Sequence, residues 1–160
     1  MNSQSNTIEK ALVKSGIPYR IIGGFRFYER KEIKDMIAYL SVINNPYDEV
    51  RLRRIINQPK RSIGDKTIAT AINISINTNI PLIDVIRRAD EFDELQRSSA
   101  KLKNFAELID SLIALSNDGK TTLSEIYKEI LDKTDYIAHI SSEKEDVTNR
   151  IENINELSSN

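Results

Sequence analysis

Between Glu29 and Ile43 the apolar residues Ile33, Met36, Ile37, Leu40 and Ile43 recur every three or four positions. That spacing is the period of an α-helix, and it gathers all five on one face. Asn44-Asn45-Pro46 stops the helix. The same period returns along the chain. It predicts helices from Asp48 to Asn57 (with Val50, Leu52, Ile55 and Ile56), from Gly64 to about Asn77, and from Leu82 to Arg88 after Pro81. A long amphipathic helix is expected from Gln96 to Ser116, carrying Leu102, Phe105, Leu108, Ile109, Leu112 and Leu115. The turn Asn117-Asp118-Gly119 follows, and helices from Leu123 to Lys133, Asp135 to Ser142 and Asp146 to Leu157 complete the chain. The expected fold is all-α, a helical bundle.

The N-terminus is the exception. Ser5 to Lys14 reads as a helix ended by Gly16, and Ile17 to Ile22 as a short β-branched strand before Gly23-Gly24. A single strand has no sheet to join within the sequence, so it reads as the edge of a neighbouring domain. The expected division is therefore residues 1–22 as that edge and 23–160 as a helical domain. With 160 residues and 39% apolar content the chain has enough for one core. No apolar run approaches a membrane span, no signal-peptide pattern opens the chain, and cysteine is absent. A cytoplasmic protein with no membrane partner is expected.

A net charge of −1 conceals an asymmetry: residues 1–67 hold 13 Lys+Arg against 7 Asp+Glu, and residues 68–160 hold 10 against 17. The basic block suggests a polyanion partner, the other reading being a solvated mixed surface. No catalytic set accompanies it. A phosphate-cradling G-x-x-x-x-G-K-[ST] loop is missing, as is G-x-S-x-G. Asp90-Glu91 follows Arg87-Arg88 in a polar helical stretch, the wrong setting for a magnesium-binding pair. His139 is the sole histidine and reads as structural. The chain alone is therefore not expected to be an enzyme, and no metal site or cofactor is expected in it.

Two segments carry binding chemistry. In the first, Gly23-Gly24-Phe25-Arg26-Phe27-Tyr28-Glu29-Arg30-Lys31-Glu32-Ile33-Lys34-Asp35, the cations Arg30 and Lys34 stand four apart on one helix face, away from Ile33 and Ile37. They either reach an external anion or pair with nearby acids such as Asp35. Phe25, Phe27 and Tyr28 read as packing groups before base-stacking ones. In the second, Arg51 to Thr67, a helix is followed by the tight loop Gln58 to Ile63, which feeds into a helix N-terminus at Gly64. Such an N-terminus leaves backbone N–H groups without intrahelical partners and is electropositive, so it suits a phosphate. Gly64 admits close approach; Lys60, Arg61 and Lys66 supply counter-charge, and the Thr67 hydroxyl a further donor. These contacts would all go to the nucleic-acid backbone, positioning a duplex without reading its sequence. The plainer alternative is a helical hairpin capped by Ser62 or Asp65.

The run GIPYRIIGGFRFYERKEIKDMIAYLSVINNPYDEVRLRRIINQPKRSIGDKTI resembles the UvrD/PcrA/Rep family of superfamily 1 DNA helicases, where the 2A motor domain passes into its inserted 2B subdomain. Asn2-Ser3-Gln4-Ser5 resembles the family's N-A-Q-S segment, although Asn6 stands where the family usually has arginine. Arg150-Ile151-Glu152-Asn153-Ile154-Asn155-Glu156-Leu157 resembles the segment closing 2B. The resemblance implies an all-helical 2B domain with a helix-hairpin-helix-like loop that grips double-stranded DNA phosphates ahead of the fork. It implies that the family's G-I-G loop is Ser62-Ile63-Gly64 here, and that Lys34 and Thr67 fall where members touch duplex DNA. It further implies a parent that is an ATP-dependent 3′–5′ helicase. Its ATP and Mg would be bound outside this chain, and its other domains would be partners of this one. A second expectation is a protein-interaction or autoinhibitory domain whose acidic half docks on the motor or on another protein.

Overall fold

The computed structural model describes residues 25–159. The predicted N-terminal helix, the strand at Ile17 to Ile22 and the whole of the proposed 1–22 domain edge lie outside the described residues. Among the described residues the fold is all-α, with no strand.

A four-residue helical turn, α1 (Phe25–Tyr28), precedes α2 (Lys31–Asn44). Phe27 and Tyr28 meet edge to face, ring centroids 5.2 Å apart, and both are buried. This is the packing role expected of them. Helix α2 is more deeply buried than a one-faced helix: Glu32, Ile33 and every residue from Asp35 to Ile43 are out of solvent. A helix buried all round belongs at the centre of a bundle. Three helices pack on it: α3 (Glu49–Ile55), α6 (Ser99–Ser116) and α9 (Val147–Ser158). Between α3 and α6 run α4 (Asp65–Thr78), α5 (Leu82–Arg87) and two 3-10 turns, Ala89–Glu91 and Asp93–Ser98. The predicted helix start at Gln96 thus falls in a 3-10 turn, and the α-helix opens at Ser99. Val50, one of the four apolar residues of this predicted helix, is 76% exposed; the buried face of α3 is carried by Leu52 and Ile55.

Local chemistry explains the boundaries. Asp48 caps α3 by accepting the Arg51 N–H. Asn79 ends α4 in the left-handed region at φ 58°, which asparagine tolerates. Helix α7 (Leu123–Thr134) opens on a full capping box, in which Thr122 accepts the Glu125 N–H and Glu125 accepts the Thr122 N–H. Asp135, left-handed at φ 57°, separates it from α8 (Tyr136–Glu143). Helix α6 buries Leu102, Phe105, Ala106, Ile109 and Leu112, the face its periodicity predicts.

The two buried acids of α2 are paired. Asp35 is 1% exposed, accepts from Arg54 Nε at 2.8 Å and from the Tyr136 hydroxyl at 2.6 Å, and so ties α2 to α3 and α8. Glu32 accepts from Asn153 Nδ2 at 2.9 Å and Arg150 Nε at 3.4 Å, tying α2 to α9. Burial and the Asp35 carboxylate push the Tyr136 hydroxyl well above its ordinary range, so it stays a donor. His139 sits beside the Tyr136 ring with Nε2 3.3 Å from Glu143 Oε1, outside hydrogen-bond geometry and an ion pair only when the imidazole is protonated. Desolvation holds its imidazole below the ordinary value, in keeping with a structural histidine.

Candidate nucleic-acid interface

The loop between α3 and α4 is short and stiffly held. Ile63 is fully buried and anchors it from below. The Asn57 side chain accepts the N–H groups of Arg61 at 2.7 Å and Ile63 at 3.2 Å, closing the loop on itself. The Gln58–Pro59 peptide bond is cis.

Arg61 lies beneath the loop and not on its outer surface. Its Nη1 donates to the carbonyls of Ile55 at 2.6 Å, Ile56 at 3.2 Å and Gln58 at 3.3 Å, two of which belong to the C-terminal turn of α3. Its Nη2 donates to the Tyr39 hydroxyl, which donates in turn to the Gln58 carbonyl. The guanidinium also lies 4.9 Å from the Phe105 ring centre, a cation–π contact with α6. Burial pushes the Tyr39 phenol up to about 12 despite the lowering charge and hydrogen bond of Arg61. Arg61 thus supplies positive charge from below, while its donors hold protein atoms.

The outer surface is different. Lys60, Ser62, Gly64 and Lys66 are exposed. Neither Lys60 nor Lys66 forms an ion pair among the described residues, in contrast to Arg51, Arg53, Arg54, Arg87 and Arg88, each of which has a carboxylate within 3.3 Å. The first turn of α4 starts at Gly64 with no side-chain cap. The hairpin capped by Ser62 or Asp65 is therefore not what forms, and the N–H groups of the first turn have no side-chain cap. Thr67 is half-buried, its Oγ1 3.3 Å from Ser98 Oγ.

The two small residues of the loop differ in backbone conformation. Ser62 is the left-handed one, at φ 60°. Gly64 is extended, at φ −75° and ψ 163°, and a Cβ built there meets nothing within 4 Å. Nothing among the described residues calls for glycine at 64, so what its missing side chain leaves open is the approach from outside.

The remaining sequence-predicted residues are not all gathered here. Arg30 is exposed and lines a separate cleft of about 520 Å³ that also holds Glu32, Glu143, Glu145 and Asp146. Lys34 is half-buried on α2. Sequence reasoning missed Lys101, whose Nζ reaches the Ser62 carbonyl at 3.4 Å from the start of α6. No local pattern could have found it, because it stands 39 residues away. Among the described residues no group of three His, Asp or Glu is placed to hold a metal ion, and no helix is long and apolar enough to cross a membrane.

The chain belongs to the UvrD-like helicase C-terminal domain family, whose model matches residues 1–160. Among its relatives, the ATP-dependent DNA helicase PcrA of Bacillus subtilis (strain 168) is 35% identical over 157 residues, covering 98% of this chain and 21% of that protein. The ATP-dependent DNA helicase PcrA of Staphylococcus aureus (strain Mu50 / ATCC 700699) is 37% identical over 159 residues, covering 99% and 22%. The ATP-dependent DNA helicase UvrD1 of Mycobacterium bovis is 37% identical over 161 residues, covering 98% and 20%. The chain spans about one fifth of the length of these relatives.

Proposed function

We propose that residues 23–160 form the 2B accessory domain of an ATP-dependent 3′–5′ DNA helicase, with residues 1–22 contributing an edge of the adjoining 2A motor domain. In this reading the domain grips duplex DNA ahead of the fork through its phosphates, without regard to sequence. ATP and magnesium are bound elsewhere in the parent, and the isolated chain hydrolyses nothing. The observation that carries the reading is the loop from Lys60 to Lys66. It presents lysines without an ion pair among the described residues and an uncapped helix start, around a glycine whose missing side chain meets no described atom. Lys60, Ser62, Ile63 (by its backbone), Gly64, Lys66 and Thr67 form the contact set, with Arg61 as support beneath and Lys34 and Arg30 as outlying cations.

The test is a titration of duplex DNA at two salt concentrations. Each phosphate neutralised contributes about −0.9 to the slope of log affinity against log salt. Two phosphates at the loop therefore predict about a tenfold loss between 50 and 200 mM salt. Lys60→Ala and Lys66→Ala should flatten the dependence equally for duplexes of any sequence. A folded chain with no detectable duplex binding at low salt would overturn the proposal.

A further inference from the structure

We propose that the cleft beside the loop, between α6 and α7, is a second phosphate subsite that continues the duplex track beyond Gly64. The inference rests on the duplex-binding reading above. The cleft has a volume of about 310 Å³ and is lined by Arg61, Lys101, Asn104, Phe105, Leu108 and Lys133. Three of the six are cations and none is a carboxylate. The larger cleft near Arg30 makes the comparison, since its three cations face four carboxylates and the charges offset.

The state of the two lysines is informative. Residues 68–160 carry 17 acids against 10 bases, so a lysine in this half has ready partners. Lys103, two residues from Lys101, takes one of them, Asp90, at 3.1 Å. Lys101 and Lys133 take none among the described residues. Their ammonium groups rest on neutral oxygens instead, the Ser62 carbonyl at 3.4 Å and the Ser111 hydroxyl at 3.1 Å. Two exposed, un-neutralised lysines therefore share one cleft over an apolar floor of Phe105 and Leu108. Such a floor lowers the local dielectric and strengthens attraction for an anion.

Size and continuity indicate which anion. The cleft has room for on the order of ten waters, which suits a hydrated phosphodiester group and is too small for a base pair. Lys101 bridges to the loop through Ser62, and Arg61 belongs to both loop and floor. A strand held at Gly64 is thereby led toward Lys133. Asn104 adds a side-chain amide donor at the rim.

The experiment measures the salt dependence of duplex binding for the 160-residue chain and its Lys133→Gln and Lys133→Arg variants, with Lys60→Ala as the loop reference. Lys133 is exposed and makes a single hydrogen bond, so thermal melts of its variants should superimpose on the parent. Lys133→Gln is expected to reduce the slope by about 0.9, which narrows the affinity ratio between 50 and 200 mM salt by about 3.5-fold. Lys133→Arg should retain the parent slope. A slope lowered by Lys60→Ala but untouched by Lys133→Gln overturns the second subsite and leaves the loop reading standing. A slope untouched by either overturns both. Weakened binding of a polyglutamate peptide by Lys133→Gln, with duplex binding unchanged, reassigns the cleft to an acidic protein segment and overturns the proposal.

Discussion

Ser62 holds a left-handed backbone, at φ 60°, and replacing it with glycine should stabilise the protein. A non-glycine residue in that region costs roughly 1–2 kcal/mol from the clash of Cβ with the following carbonyl. Glycine in turn loses more freedom on folding, about 0.4–1 kcal/mol. The Ser62 side chain is exposed and has no hydrogen bond among the described residues, so nothing else is lost. The net gain is about 0.5–1 kcal/mol, and for a chain of this length that raises Tm by about 1–4 °C. Gly119, at φ 73° with open space around it, provides the mirror experiment: Gly119→Ala should lose a similar amount. Urea unfolding read by circular dichroism measures both, with an unchanged slope against denaturant confirming that stability, and not the surface exposed on unfolding, has changed. A Ser62→Gly midpoint at or below the parent, with Gly119→Ala behaving as expected, would refute the conformational reasoning.

Three further outcomes follow from the same geometry. Arg61→Ala should destabilise the fold by about 2–4 kcal/mol, because charge-assisted bonds to three carbonyls and Tyr39 disappear together; a variant as stable as the parent would place the guanidinium outside the loop after all. Gly64→Ala should change stability by less than about 1 kcal/mol, since its Cβ meets no atom, yet weaken duplex binding several-fold. Equal losses of stability and binding would indicate a folding role instead. Stability should fall as pH drops below 6.5, because burial lowers the His139 pKa below that ordinary value and the unfolded chain takes up its proton first. His139 faces Glu143, Lys31, Asp35 and Arg150; Glu143 is itself held below the usual carboxylate range by its hydrogen bond from Arg150, which adds a loss of the same sign at more acid pH. His139→Gln should flatten the dependence between about pH 7 and pH 5, and an unchanged slope would assign it elsewhere.

Helix α2 is legible in the sequence because its apolar period is local, and the five residues that define it are all buried. What the period does not convey is that Asp35 and Glu32 are buried with them. Their partners Tyr136 and Asn153 stand 101 and 121 residues away, where only the assembled bundle brings them. The loop is legible by the same rule, since a glycine, its flanking lysines and a helix start lie within a few residues. Arg61 is not. In sequence it is indistinguishable from Lys60, and it turns inward because Tyr39, 22 residues earlier, and Phe105 on α6 meet beneath it. Val50 fails for the opposite reason: at about 100° per residue it stands roughly 200° around the helix from Leu52 and roughly 140° from Ile55, so the period itself turns it away from the core.

The Arg61 node has a mechanical consequence. Through it the loop is stayed from three directions: to α2 by Tyr39, to the end of α3 by its carbonyls, and to α6 by the Phe105 ring, with Lys101 adding a second stay from α6. A guyed mast does not bend at its tip when pulled; its load passes to the ground. A tug on this loop would likewise be carried into three helices together, so that the bundle moves with whatever the loop holds.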